Sequence, residues 1–334
     1  MRILITGGAG FQGSHITERL LKTGHEITIL NHRSESAEKN AVSFQNKCHI
    51  VWGSVADEAL VCRLIRNKEL VLHLAAKVHV EESIAKPSIY VQKNILGTFA
   101  VLEAIKKSTG TRPKLIHWST CEVYGQPASG LLSESSELRP HSPYAASKAA
   151  ADRLCFSYHK TYGLDVIILR PFNIFGERKK IGPQGSLIST LVENAINDQP
   201  LIVQGDGRQT RDYMHISDLV TALELVVMKP NLSGHAINFA SGINTSVIDI
   251  AKYIAKRFGV KIIFAPGRPG EILKFPADIS LAKSLGFKAE TTIWQGIDRY
   301  IDWRLHQKSF SPAPSKYNDW ILLRRLYQKF LQQE

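Results

Sequence analysis

The chain has 334 residues, about two domains at the usual ~150 residues each, so it can bury a sizeable core without disulfides or metals. Hydrophobic residues make up 44% and charged residues 22%, which excludes collagenous, low-complexity and disordered classes. The 42 Lys and Arg exceed the 30 Asp and Glu, giving a net charge of +12, so we expect an anionic partner.

The four cysteines, at Cys48, Cys62, Cys121 and Cys155, show no paired C-x-x-C spacing. We therefore expect reduced thiols, with neither a metal site nor a disulfide framework. The N-terminus lacks the pattern of a signal peptide, and no apolar run approaches about 18 residues. The expectation is a cytoplasmic protein without a membrane span.

The first predicted strand, Arg2–Thr6, leads into a glycine-rich turn and an amphipathic helix that ends near Thr23. Gly7–Gly13 contains glycines three apart and also satisfies G-x-G-x-x-G. Between a strand and a helix, such glycines let the backbone approach a pyrophosphate and direct the helix N-terminus at its charge. The pattern predicts a dinucleotide site, and the alternative is a plain strand-to-helix turn.

The position for an acidic residue that binds the cofactor ribose is expected about 20 residues further on. There the chain has Asn31 and Arg33, at the end of the second predicted strand. Asn31 can bond a ribose hydroxyl without repelling a phosphate, and Arg33 could pair with a 2′-phosphate. We predict NAD as the cofactor, and NADP stays open.

Further apolar strand candidates alternate with helix-length segments. They are Glu26–Leu30, His49–Trp52, Leu70–Leu74, Lys114–Ser119 and Asp165–Arg170. This alternation predicts an α/β fold, a doubly wound parallel sheet covered by helices. From Pro171 on, Gly- and Pro-marked loops predict a smaller lobe over the sheet. Apolar residues near helical spacing in Tyr317–Gln332 predict an amphipathic tail helix.

Tyr144 and Lys148 are four residues apart, so on a helix they share one face. A close ammonium can stabilise a phenolate. The pKa of a free Tyr, about 10, must fall by roughly 3 units for it to act near neutral pH, and we expect the ammonium together with an oxidised nicotinamide to cause this shift. The phenolate could then take a hydroxyl proton while hydride leaves for a nicotinamide. The alternative is a solvated helix face.

A series of segments, in chain order, matches the motifs of one known family. They are TGGAGFQGSH, HLAAKVHV, the P-x-x-Y-V-x-x-N-I-x-G-T stretch ending at Thr98, STCEVYG, YAASK, LRPFNIFG, GDGRQTRDYMHISD and RPGEILKFPAD. From residue 2 to about 305, the chain resembles the extended short-chain dehydrogenases/reductases, specifically the NAD-dependent nucleotide-sugar epimerase/dehydratase family. The resemblance implies a Rossmann-type domain with a C-terminal substrate lobe. It also implies a homodimer formed by two helices per subunit, at about residues 88–108 and 143–161.

The resemblance also implies domain boundaries and binding residues. The NAD-binding domain would be 1–171 with a returning segment at about 214–243, the substrate lobe 172–213 and 244–309, and the tail helix 310–334. Cofactor-binding residues would be Gly7, Gly10, Phe11, Gln12, Gly13, Asn31, Arg33, Ser54, Val55, Leu74, Ala75, Ala76, Tyr144, Lys148 and Phe172. Substrate-binding residues would be Ser83, Asn173, Arg211, Arg268 and Glu271. Guanidinium groups suit a diphosphate, and UDP is expected, with GDP, dTDP and CDP open.

The resemblance implies that the segment Ser119–Gly125 largely decides the reaction, with Thr120, Cys121 and Glu122 as its catalytic residues. In hexose 4,6-dehydratases the corresponding segment resembles Thr-Asp-Glu or Thr-Ser-Glu. Its Glu removes the C5 proton once C4 is a ketone. Glu122 is the expected base, or else a surface loop residue. A thiol with a pKa near 8.5 is protonated at neutral pH, so Cys121 could protonate the leaving C6 hydroxyl, or else it is a small buried hydrophobe. Thr-Cys-Glu also resembles the tunicamycin-type UDP-GlcNAc 5,6-dehydratase, in which hydride returns to C4 instead of C6.

These observations predict an NAD-dependent nucleotide-sugar dehydratase of the 4,6- or 5,6-type, acting on a UDP-hexosamine such as UDP-GlcNAc. A UDP-sugar 4-epimerase is the alternative. A UDP-uronic acid decarboxylase is the next alternative, because the corresponding segment of those enzymes also resembles Thr-Ser-Glu. The non-enzyme alternative is a redox-sensing or RNA-binding Rossmann protein. The intact Tyr144 and Lys148 and the lack of an aromatic-rich RNA signature oppose it, so no nucleic acid partner is expected.

Overall fold

The computed structural model describes residues 1–127, 130–181, 185–267 and 273–308. Its larger part is built on a seven-stranded parallel sheet. The strands are β1 (Arg2–Thr6), β2 (Glu26–Asn31), β3 (His49–Trp52), β4 (Leu70–His73), β5 (Lys114–Trp118), β6 (Val166–Pro171) and β10 (Ala236–Phe239), in the order β10-β6-β5-β4-β1-β2-β3. Six agree with the predicted strands to within one residue at each end, and β10 has no counterpart among them. The predicted parallel Rossmann-type sheet is confirmed.

Helices cover both faces of this sheet because successive strand residues point to opposite sides. Ile3 and Ile5 of β1 share one core cluster with helices α1 (Phe11–Lys22), α2 (Glu35–Ala41) and α9 (Ile216–Met228). Leu4 lies in the opposite cluster, which includes residues of α3 (Glu58–Ile65), α6 (Gly97–Lys106) and α7 (Pro143–Tyr162).

A nearly continuous helical segment connects β4 to β5. It consists of α4 (Val80–Ala85), α5 (Pro87–Tyr90), a π-helical turn over Val91–Leu96, and α6. Single π turns inside helices are rare and occur often at functional sites. Asn94 is buried within this turn.

The smaller lobe contains two further sheets. The first joins β7 (Asn173–Phe175), β9 (Thr210–His215), β11 (Asn244–Ser246) and β13 (Lys274–Phe275), and the second pairs β8 (Leu201–Gln204) with β12 (Ile262–Ala265). Helices α8 (Leu187–Ile196), α10 (Val247–Phe258) and α12 (Ile293–Lys308) contribute to a separate core, whereas α11 (Ser280–Ser284) lies against β10. The chain therefore enters this lobe after β6, returns to the large sheet for β10, and enters the lobe again.

Within the described residues, no helix is both long and apolar enough to cross a bilayer. The predicted tail helix lies outside the described residues.

Candidate functional site

The glycine-rich turn connects β1 to α1. Gly7 has φ +78°, and a Cβ there would lie 2.8 Å from the Ala75 nitrogen, whereas a Cβ on Gly13 would lie 2.1 Å from the Gly7 oxygen. Only glycine fits either position. The first turn of α1 contains no acidic residue, and no side chain caps it. Its N–H groups and positive helix end therefore suit a diphosphate.

Asn31 and Arg33 follow the second strand as predicted. The Asn31 side chain accepts a hydrogen bond from the Ala9 N–H, at 3.1 Å, and donates to the His32 carbonyl, at 2.8 Å. It thus ties β2 to the glycine-rich turn. Arg33 is exposed, lies 3.5 Å from the Glu38 carboxylate and stacks over the Trp52 ring at 5.5 Å. Their predicted contacts with a ribose or 2′-phosphate stay predictions.

The other predicted cofactor residues follow β3, β4 and β6, whose carboxyl ends lie along one edge of the sheet, where dinucleotides bind in such folds. Ser54, next to the buried Val55, accepts a hydrogen bond from the Lys93 ammonium, at 3.1 Å. Phe172 is only 4% exposed and packs edge-on against Phe275. The remaining members of this group are Leu74, Ala75 and Ala76, directly after β4.

Tyr144 and Lys148 lie one turn apart in α7 and are both buried. Ser142 starts this helix, and its hydroxyl accepts the Ala145 N–H at 3.1 Å. The Lys148 ammonium donates to the Trp118 carbonyl at the end of β5. The Tyr144 phenol is hydrogen-bonded to Thr120, two residues further along the same chain segment. Helix α7 thus presents both side chains to the end of β5.

Burial shifts the pKa values of both members of this pair. Burial raises the pKa of Tyr144, and the Thr120 hydrogen bond opposes that shift only in part. Burial also lowers the pKa of Lys148 to about 8. Desolvation therefore dominates both pKa values, and the ammonium is engaged with a backbone carbonyl. The lowering of the phenol pKa that we expect from the ammonium together with an oxidised nicotinamide stays a prediction.

The segment after β5 forms a single 3₁₀ turn over Cys121–Tyr124. Thr120 caps it, since its hydroxyl accepts the Glu122 N–H at 3.3 Å. The turn ends at Gly125, where φ is +65° and a Cβ would lie 1.8 Å from the Arg139 oxygen, so this position requires glycine. This geometry holds Cys121 and Glu122 beside Tyr144.

Glu122 is partly buried, and that burial raises the pKa of its carboxyl. Arg211 and His141 oppose the shift through their positive charge, whereas the nearby Glu81 carboxylate adds to it. A carboxyl with a raised pKa that remains ionised near neutral pH is a stronger base than an exposed one.

Cys121 is 3% exposed and belongs to the main core cluster. Burial raises the pKa of its thiol well above the usual value, and the Glu122 charge adds to this, whereas a hydrogen bond with Thr120 opposes it. The thiol therefore stays protonated at neutral pH, in a position that also suits plain packing.

The predicted substrate residues are only partly brought together. Asn173 lies opposite Tyr213 of β9, and its amide donates to the Asp212 carbonyl at 3.1 Å. Arg211, on the same strand, lies close enough to Cys121 and Glu122 for its charge to lower both pKa values. Ser83 is fully buried, and its hydroxyl donates to the carbonyl of Val80 in its own helix. Arg268 and Glu271 lie outside the described residues.

Several residues around the site were not predicted. Glu81 and His141 face Glu122 from segments about 40 residues before it and about 20 after it, so no local motif could reveal them. Asn94 accepts the Lys77 N–H at 2.8 Å and donates to the Ser147 hydroxyl at 2.8 Å, which links the loop after β4 to α7. The only sequence signal was the match of Asn94 to a family motif.

A buried polar network supports the turn that contains Glu122. Arg170 in β6 donates two hydrogen bonds to Asp152 of α7, at 2.9 and 3.0 Å, and a third to the Tyr124 phenol, at 2.9 Å. The Tyr124 phenol donates to Asn238 of β10, at 2.7 Å. The network thereby fixes α7, the 3₁₀ turn and β10 relative to one another.

All four cysteines are free thiols. In the described part of the chain, no group of three or more His, Cys, Asp or Glu side chains could hold a metal ion.

A sequence model of the GDP-mannose 4,6 dehydratase family matches residues 4–300. A putative UDP-glucose 4-epimerase from Methanocaldococcus jannaschii is 32% identical over 305 residues, covering 90% of this chain and 97% of the relative. A dTDP-glucose 4,6-dehydratase from Streptomyces niveus is 31% identical over 316 residues, covering 91% of this chain and 92% of the relative. The solved structure of a dTDP-glucose 4,6-dehydratase double mutant from Streptomyces venezuelae, with NAD bound, is 30% identical, with a TM-score of 0.85 over 93% of this chain and 98% of that chain.

Proposed function

Since the chain belongs to the GDP-mannose 4,6 dehydratase family, we propose that it is an NAD-dependent nucleotide-sugar dehydratase that acts on a UDP-hexosamine such as UDP-GlcNAc. The observation that supports dehydration is the partly buried Glu122 on the turn beside Tyr144. Oxidation at C4 needs only one group to take the hydroxyl proton. Loss of water needs a second base for C5, and Glu122 supplies it.

NAD is the proposed cofactor because the relative from Streptomyces venezuelae contains it and the glycine-rich turn suits a diphosphate. The N–H groups at the start of α1 would hold its phosphates, and Asn31 would bond its ribose. NAD bound there would supply hydride transfer, from C4 of the sugar and then back to C6 in a 4,6-dehydratase or to C4 in a 5,6-dehydratase.

The side chains of this chain move the protons. Tyr144 accepts the C4 hydroxyl proton, and the Thr120 hydroxyl that bonds its phenol fixes its orientation. Glu122 then removes the C5 proton, which the C4 ketone makes acidic, and the Cys121 thiol donates a proton to the departing C6 hydroxyl. Asn173 and Arg211 would hold the substrate diphosphate through an amide and a guanidinium.

A UDP-sugar 4-epimerase is the second candidate, because the relative from Methanocaldococcus jannaschii is named as an epimerase and aligns over 90% of this chain. In that reaction Tyr144 would keep its role. Glu122 and Cys121 would have no proton to transfer.

The protein is further proposed to form a homodimer through the helical segment from Pro87 to Lys106 and through α7. Large hydrophobic side chains on these helices are exposed, among them Val91 by 47%, Leu96 by 50% and Phe156 by 37%. An interface would cover such side chains. Light scattering of the purified protein would give twice the chain mass, and a monomeric mass would contradict the dimer.

The experiment that tests the function is incubation with NAD and a panel of UDP-, dTDP-, GDP- and CDP-sugars, followed by mass spectrometry. A dehydratase gives a product lighter by one water, whereas a 4-epimerase gives a product of unchanged mass. NMR after reaction in heavy water then locates the deuterium and shows whether C5 exchanged. An unchanged mass with every sugar would overturn the dehydratase proposal.

A further inference from the structure

The end of β5 is linked to the glycine-rich turn by one side-chain hydrogen bond. The Trp118 indole N–H donates to the Gln12 amide oxygen, at 2.7 Å. Gln12 lies in α1, which follows β1, and Trp118 is the last residue of β5. These two strands are not neighbours, because β4 lies between them. The bond therefore spans the carboxyl edge of the sheet from the predicted cofactor turn to the strand that precedes Thr120.

The same tryptophan also contacts Lys148. Its backbone carbonyl accepts the hydrogen bond of the Lys148 ammonium, so Gln12, Trp118 and Lys148 form one continuous chain. Trp118 is 5% exposed and Lys148 is 4% exposed, so little water competes for either bond. A buried indole N–H needs an acceptor, and Gln12 provides it.

Gln12 is the second residue of α1, where N–H groups have no partner within the helix. Since its side chain is held by Trp118, the first turn of α1 is fixed relative to β5. The turn thus contacts the residue whose carbonyl accepts the hydrogen bond of the Lys148 ammonium.

We propose that Trp118 and Gln12 are positioning residues that couple the dinucleotide-binding turn to Lys148. The part of this inference that concerns the cofactor rests on the proposed function. The coupling between Gln12 and Lys148 does not, and it can be measured without a cofactor.

The test uses Trp118→Phe, which removes the N–H and keeps an aromatic ring, Gln12→Met, which removes the acceptor, and the double variant. In the cofactor-free protein, the Lys148 ammonium is titrated by NMR, its signal being assigned through its loss in Lys148→Met. Each single variant should lower the pKa of Lys148 by about half a pH unit, because a less constrained carbonyl stabilises the ammonium less. The double variant should lower it no further.

The matched control is Trp294→Phe, since this tryptophan packs on Tyr253 in the smaller lobe, with ring centroids 4.8 Å apart. It should leave the Lys148 titration unchanged. An unmoved Lys148 titration in Gln12→Met, or additive shifts in the double variant, would overturn the coupling. If Trp118→Phe does not fold, Gln12→Met tests the same bond from a partly exposed position.

Calorimetry with NAD provides the second measurement. Each single variant should bind NAD about threefold to tenfold more weakly, the effect of one hydrogen bond, and the double variant should match the weaker single one. If both single variants bind NAD as tightly as the wild type, the proposed effect of Gln12 and Trp118 on cofactor binding is overturned. If the wild type itself binds no NAD, the proposed function fails, and the Lys148 titration still decides the coupling.

Discussion

Glu122 lies among charges of both signs, with Arg211 and His141 opposing the Glu81 carboxylate. Burial nevertheless keeps the pKa of Glu122 above that of an ordinary carboxyl. Because a base acts in its ionised form, activity should rise with pH as this group deprotonates, at a higher pH than for an exposed glutamate.

Glu122→Gln keeps the shape of the side chain and removes the base. Dehydration should fall by at least about 100-fold, the usual effect of losing a positioned base, while calorimetry shows unchanged NAD affinity. The matched control is Glu137→Gln, at a glutamate that is 73% exposed and pairs with Arg139. Turnover of Glu122→Gln at the wild-type rate would show that another group removes the C5 proton.

The pH dependence of the rate and the Cys121→Ser variant distinguish a thiol that acts as an acid from one that only packs. An acid acts in its protonated form, and burial raises the pKa of this thiol. The contribution of the thiol to the rate of water loss should therefore persist through neutral pH and decline only in alkaline solution. Cys121→Ser keeps the size but gives a weaker acid, and the rate of water loss should fall about tenfold. Rates equal to the wild type between about pH 6 and 9 would assign Cys121 to packing alone.

At the scale of elements, the π turn fixes the spacing between the loop after β4 and α7. The Asn94 side chain bonds both backbone groups of Lys77, at 2.8 and 2.9 Å, and also the Ser147 hydroxyl. Ser147 in turn donates to the Tyr144 carbonyl, at 2.7 Å. The π turn thus contacts the helix between Tyr144 and Lys148.

Asn94→Leu keeps the branched shape of the side chain but removes its hydrogen bonds to both backbone groups of Lys77. The free energy of unfolding should fall by about 2 kcal/mol, the cost of a buried unpaired polar group, as measured by urea denaturation. Gln92→Leu, at an exposed position of the same turn, is the control and should change it by less than about 0.5 kcal/mol. Equal stability of the two variants would mean that the Asn94 bonds do not hold the loop.

The strands and the Tyr144 and Lys148 spacing could be predicted because each depends on residues near in sequence. Apolar runs such as His49–Trp52 gave the correct strand bounds. The Trp118–Gln12 bond and the position of Glu81 depend on contacts between distant segments, which a local pattern does not encode. The burial that raises the pKa of Tyr144 could not be predicted either, because only the folded structure specifies it.

At the scale of the whole molecule, the buried ion pair between Asp152 of α7 and Arg170 of β6 connects a covering helix to the large sheet. Burial alone would raise the pKa of the Asp152 carboxyl, but the hydrogen bonds and charge of Arg170 hold it below its usual value. Because the folded-state pKa is the lower one, the pair adds stability above the pKa of an unfolded Asp. This contribution is lost as the pH falls below about 4, through the folded-state value.

Asp152→Asn leaves the Arg170 charge buried without its partner. The free energy of unfolding near neutral pH should fall by about 3–5 kcal/mol, and the loss should shrink in acid, as measured by urea denaturation across pH. Asp302→Asn is the control, because that carboxylate is 60% exposed, pairs with Arg257 and should matter by at most about 1 kcal/mol. If the free energy of unfolding of Asp152→Asn stays below that of the wild type by the same amount at every pH down to the acid transition, the loss does not come from the ionised Asp152 carboxylate.

The return of the chain to the large sheet for β10 restricts how this protein can change its substrate. The smaller lobe is not a contiguous stretch, since β7 to β9 precede β10 and β11 to β13 follow it. A single genetic crossover therefore cannot exchange the lobe with that of a relative without also replacing β10 and its bond to Tyr124. Exchanging the smaller lobe while keeping β10 requires three junctions between the two parental sequences. Gradual substitution within the loops is therefore the shorter evolutionary route to accepting a different sugar as substrate.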